Sequence, residues 1–94
     1  SIDSIPLATK IKRCQAFVDA IDGVTEGGRN DFAARVVCPL GLDFDLDDET
    51  FFPILQSWNE KNSPPLSDSE LHRTLVSVAR SRMSPRGSKL LEDR

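Results

Sequence analysis

Gly27-Gly28-Arg29-Asn30 carries the ingredients of an anion site. Glycines let a backbone approach closely, a helix N-terminus offers free N–H groups, and a guanidinium can fork onto a phosphate. The stretch lacks the spacing and the lysine of a P-loop. Its competing reading is a plain glycine turn in which Asn30 caps the next helix. Arg73 and Arg80 stand one heptad apart and share a helix face, so they could grip successive phosphates, with Arg82 close by. A solvated basic face is the alternative there.

Asp43-x-Asp45-x-Asp47 resembles the start of a calcium loop, but the places that need Gly and Glu hold Asp48 and Ile54. A solvated acidic loop next to a helix N-terminus is the simpler reading. Cys14 and Cys38 have no CxxC spacing, and with His72 they make no recognisable zinc site. They read as two buried free thiols of a reducing compartment, and His72 reads as a surface residue. Trp58 falls on an apolar stripe and is expected in the core. Asn59 follows it near a helix end, where satisfying backbone groups is the plain expectation. Nothing supplies a nucleophile–base pair, paired carboxylates or a metal centre. The domain is expected to be non-enzymatic and to need no cofactor.

The elements that must position these residues are helical. With 94 residues, 38% hydrophobic and 29% charged, the chain has material for one modest core and not two. It is therefore expected to be a single domain, with a core over about residues 5–83 and a tail over 84–94. No apolar run approaches the ~18 residues of a membrane span, and no membrane partner is expected. A net charge of −3 argues against a strongly electrostatic nucleic-acid binder. Charge is unevenly spread, however: acids crowd residues 43–49, and Arg73, Arg80, Arg82, Arg86, Lys89 and Arg94 load the C-terminal end.

Ile11, Cys14, Phe17, Val18 and Ile21 predict a first helix, with Ser4 as its cap, Lys10 on its polar side and Gly23 as its stop. Asn30 then caps a second helix whose stripe is Phe32, Ala33, Val36, Val37 and Leu40, terminated by Pro39 and Gly41. A third carries Phe51, Phe52, Ile54, Leu55 and Trp58. If Asp47 caps it, Pro53 lies in its interior and should kink it; if Thr50 does, Pro53 lies in the tolerated first turn. Pro64-Pro65 makes a rigid corner. Ser67 and Glu70 then have capping-box spacing, and Leu66 and Leu71 are placed for a hydrophobic staple. The fourth helix runs from Asp68 to about Arg82, with Leu71, Leu75, Val78 and Ala79 inward. Leu90-Leu91 marks a short terminal helix. The expected fold is an all-α bundle of four main helices with short connections.

In order and spacing, these motifs resemble the primase C-terminal domain family, a small helical module that follows the catalytic domain in primase–polymerase and primase–helicase proteins. The resemblance runs from about Arg13 to Arg80. It rests on Gly27-Gly28-Arg29-Asn30 with Phe32-Ala33-Ala34, Gly41-Leu42, the acidic helix start, Leu55-x-x-Trp58-Asn59, and Pro64-Pro65-Leu66-Ser67-x-x-Glu70-Leu71. Pro39 and Pro53 depart from the family's pattern. The resemblance implies a cytoplasmic accessory module excised from a larger replication protein. It would help the primase engage single-stranded DNA template or nucleotide, with Gly28, Arg29, Asn30, Asn59, Arg73 and Arg80 as candidate phosphate-binding residues. Its rival is a docking module that joins adjacent primase/polymerase and helicase domains. A stand-alone helix-turn-helix regulator fits less well, because its turn commonly contains Gly and not Pro-Pro.

Overall fold

The spacing of Ile11, Cys14 and Val18 produces helix α1 (Leu7–Asp19) in the computed structural model, which describes residues 1–81 and 84–92. Cys14 and Val18 are fully buried, whereas Phe17, expected on the same stripe, is 44% exposed. Pro6, not Ser4, takes the N-cap position, because Ser4 closes a 3-10 turn (Ile2–Ser4) by donating to the Ser1 carbonyl. Lys10 does not take the polar side expected of it. It lies one turn before Cys14 on the buried side, and its ammonium reaches Asp45 at 2.6 Å. The helix ends ahead of Gly23, and Lys61 Nζ donates to the Asp19 and Ile21 carbonyls, placing a cation at the negative helix end. Gly23 serves a close approach instead: a Cβ there would collide with the Lys61 backbone carbonyl.

The predicted second helix forms as three joined pieces. Helix α2 (Arg29–Phe32) runs into a π-helical segment (Ala33–Val37), and α3 (Pro39–Asp43) follows. The Cys38 N–H reaches back to Ala33 at 2.8 Å, the wide π spacing. Pro39 has no N–H for a regular α-helical bond, and its ring would crowd the carbonyl one turn earlier. The widened turn before it relieves both problems. Pro39 thus begins α3 and does not end a helix. Gly41 is no terminator either; it sits within α3, where a Cβ would stand 3.0 Å from the Phe51 ring.

Asp47 caps α4 (Asp48–Asn59) by accepting from the Thr50 N–H at 2.8 Å, so Pro53 lies inside the helix. Ser67 caps α5 (Asp68–Ala79), accepting from Glu70 N–H at 3.2 Å. The box is only half formed, since the Glu70 carboxylate instead accepts from Asn30. Leu66 and Leu71 are both buried, as a staple requires. Arg80 is the C-cap of α5, and Arg82 and Arg94 fall outside the described residues. Helix α6 (Ser88–Glu92) is the last described element, and Leu90 is only 3% exposed, so part of the stretch expected as a tail packs on the core.

Trp58, Phe51, Leu55, Leu71, Val18, Val37 and Cys14 form the centre of the core. Phe32 stacks on Trp58 with centroids 5.7 Å apart. The fold is an all-α bundle, and no strand is found among the described residues beyond one isolated parallel bridge, Thr25 to Ser63. No described helix is long and apolar enough to cross a membrane. The acidic stretch is not the solvated loop expected: Asp43 is buried, and Asp45 is held by both Lys10 and Arg86. Asp45 takes a positive φ of 57°, a conformation that Asp tolerates better than most residues.

Candidate functional site

The two motif-rich stretches meet each other. The connection after α1 lies against the corner between α4 and α5, and the motif side chains make the joint. Trp58 Nε1 donates to the Asp22 carbonyl at 3.0 Å, and Asn62 Oδ1 accepts from Val24 N–H at 2.8 Å. Ser63 and Glu26 add backbone bonds on either side of the bridge. Asn59 lies at the centre. Its Nδ2 donates to the Leu66 carbonyl at 2.8 Å, and its Oδ1 accepts from Leu66 N–H at 2.9 Å and Asn62 Nδ2 at 3.0 Å. This one amide satisfies both backbone groups of a residue beyond the Pro-Pro corner. Asn59 is 5% exposed, so its amide is committed inward and is not presented to a phosphate.

Arg29 also turns to this corner. Its NH1 donates to the Pro64 carbonyl, its NH2 lies 3.9 Å from Glu26, and the side chain is 16% exposed. Its Nε is buried without a hydrogen-bond partner. Gly28, not Asn30, is the N-cap of α2, and its carbonyl accepts from Phe32 N–H. Asn30 lies one position inside the helix. Its Nδ2 donates to Thr74 Oγ1 at 2.9 Å and Glu70 Oε2 at 3.3 Å, tying α2 to α5. Thus the Arg29 and Asn30 side chains of the expected anion turn are engaged by the Pro64 carbonyl and by α5, although the turn itself lies at the surface.

Arg73 and Arg80 are placed differently. Arg73 is exposed on α5 and Arg80 is exposed at its C-cap, and neither forms an ion pair among the described residues. Arg73 borders a shallow groove of about 320 Å³ with Asn30, Ala34, Glu70 and Ser77. A larger groove of about 500 Å³ shares Ala34, Ser77 and Val78 with it and continues over Cys38, Leu42 and Leu75. His72 is exposed and meets Phe52 edge-on at 5.6 Å. No group of three or more His, Cys, Asp or Glu side chains among the described residues could hold a metal ion. Burial pushes the Cys14 and Cys38 thiols up to about 12, which leaves them protonated and poorly nucleophilic near neutral pH.

The ionic cluster of Lys10, Asp45, Arg86 and Asp3 was not anticipated. The Lys10 and Arg86 hydrogen bonds hold the Asp45 carboxyl below its ordinary range. A signal existed in the sequence, since Lys10 lies on the same helical face as Cys14. The pairing with a residue 35 positions away was not readable.

The family model described as Primase C terminal 1 (PriCT-1) matches residues 18–84, and the chain belongs to that family. No curated protein and no solved structure matches the chain.

Proposed function

We propose that this primase C-terminal module is a non-catalytic accessory domain that offers the exposed face of α5 to the phosphates of single-stranded template DNA or of a nucleotide. Another domain would perform phosphoryl transfer, and this one would hold the strand in place for it. The observation that carries the reading is the pair Arg73 and Arg80, exposed on α5 and at its C-cap and unpaired among the described residues. Seven residues of helix separate them by about 10.5 Å along the axis, a span that two long side chains can bring onto one strand. Phosphate contacts carry no sequence information, so binding should be indifferent to base order. Gly28, Arg29, Asn30 and Asn59 support this face from behind by fixing the corner and by tying α2 to α5. The setting proposed is cytoplasmic.

A second reading is docking of an adjacent primase, polymerase or helicase domain. The groove beside α5, which mixes apolar and polar side chains, and the exposed Leu7, Phe17, Val36 and Leu91 support it. Charge reversal, Arg73→Glu with Arg80→Glu, separates the two. It should weaken single-strand binding with helical content unchanged, and an unchanged affinity refutes the phosphate reading.

A further inference from the structure

Residues 86–90 are held one after another, each by a contact suited to its own chemistry. Arg86 places NH1 2.8 Å from Asp45 Oδ2 and NH2 3.1 Å from Asp3 Oδ1. Gly87 is buried and donates its N–H to the Leu42 carbonyl at 2.8 Å. Its φ is 75°, and a Cβ would stand 2.6 Å from Ile2 Cδ1. Ser88 Oγ donates to Asp43 Oδ1 at 3.2 Å. The Lys89 ammonium lies 5.2 Å from the Phe17 ring centroid, and its carbonyl accepts from Arg13 at 3.4 Å. Leu90 is buried in the core cluster.

The receiving surface comes from elsewhere in the chain: the 3-10 turn, α1, α3 and the Phe44-Asp45 turn. It carries Lys10 and Arg13 as well as Asp3, Asp43 and Asp45, and its charge match to the segment is Arg86 set between Asp45 and Asp3. A five-residue helix such as α6 has little stability of its own, and its shape is imposed by this surface. Lys10 pairs with the same Asp45 oxygen at 2.6 Å, so the carboxylate is held from within the receiving surface as well as by Arg86. Arginine read by carboxylates, glycine by the absence of a Cβ and leucine by an apolar socket are the marks of recognition of a linear segment.

We propose that this surface is a peptide-recognition site for the segment Arg86-Gly87-Ser88-Lys89-Leu90, filled here in cis, and that a second copy of this chain fills it in trans by exchanging the same segment. Such exchange uses contacts that already exist and needs no new interface chemistry. The cis segment competes at an effective concentration on the order of millimolar, so exchange is favoured only when the resident segment is weakened or a second copy is abundant.

The test is fluorescence anisotropy of a labelled peptide of residues 84–91, titrated with the full chain. The variant Arg86→Glu/Leu90→Asp, whose own segment cannot dock, should bind the peptide saturably. Wild type should bind it at least about tenfold more weakly because of the tethered competitor. Adding Asp45→Asn to the variant should abolish binding. A folded variant that does not bind, or binding indifferent to Asp45→Asn, overturns the proposal. Should the variant not fold, hydrogen exchange on wild type decides. Excess peptide should speed exchange of the Gly87 amide where a scrambled peptide does not, and unchanged protection overturns the proposal.

Discussion

Replacing Asn59 with alanine should damage stability far more than a surface polar residue would. The substitution removes three hydrogen bonds, to Leu66 O, Leu66 N and Asn62 Nδ2. Leu66 and Asn62 are 5% and 4% exposed, so water cannot fully replace the lost partner. A typical bond contributes about 1 kcal/mol net, and each buried polar group left unsatisfied costs roughly 1–3 kcal/mol. The combined loss is about 3–5 kcal/mol, a large share of the ~5–15 kcal/mol that holds a domain of this size. The Tm should fall by roughly 15–25 °C. Circular dichroism and Trp58 fluorescence through thermal and urea unfolding measure it. Asn59→Asp, which keeps an acceptor but loses the donor to Leu66 and buries a charge, should do no better. A loss below about 1 kcal/mol would refute the clamp. Intact stability with lost DNA affinity would return Asn59 to the binding face.

Gly23→Ala should cost about 3 kcal/mol, because the new methyl meets the Lys61 backbone carbonyl and not a movable side chain. Gly28→Ala, with its nearest neighbour at 3.9 Å, should stay within about 1 kcal/mol by the same urea midpoints. The Asp45 pKa is depressed by Lys10 and Arg86. Its contribution is therefore fully present above the ordinary carboxylate pKa of about 3.9 and lost as pH falls through the lowered folded value. The stability gap between wild type and Asp45→Asn should be constant near neutrality and close on the acid side; a gap that persists at the lowest pH contradicts the pairing. Cys14 and Cys38, pushed up to about 12 by burial, should resist thiol reagents near pH 8 in the native state and react after denaturation. Rapid native labelling would show the core to be open.

The helices were legible because their apolar residues recur at helical spacing and their ends carry local chemistry: Asp47 and Ser67 bond the N–H groups that their positions predict. What was not legible depends on partners distant in sequence. Asn30 looks like a cap from its neighbours, yet Thr74 and Glu70 claim its amide across the fold. Arg29 looks like a phosphate fork until the Pro64 carbonyl is placed beside it. Pro39 and Gly41 read as stops by local rules, but a π turn and the Phe51 ring give them other work. The motifs that carry the family resemblance therefore build the joint between two connections. Of the six expected contact residues, only Arg73 and Arg80 stand exposed and unpaired among the described residues. Their exposure was anticipated by helix periodicity alone.

The most direct test of the phosphate reading is the salt dependence of single-stranded DNA binding, followed by anisotropy for wild type and the Arg73→Glu/Arg80→Glu variant. Two phosphate contacts give a slope of about −1.4 in log affinity against log salt, or roughly sevenfold weaker binding between about 50 and 200 mM. Wild type should show that slope, and a variant that melts like wild type should lose it together with most of the affinity. A folded wild-type chain that does not bind, or a variant with the same affinity and slope, would contradict the phosphate reading.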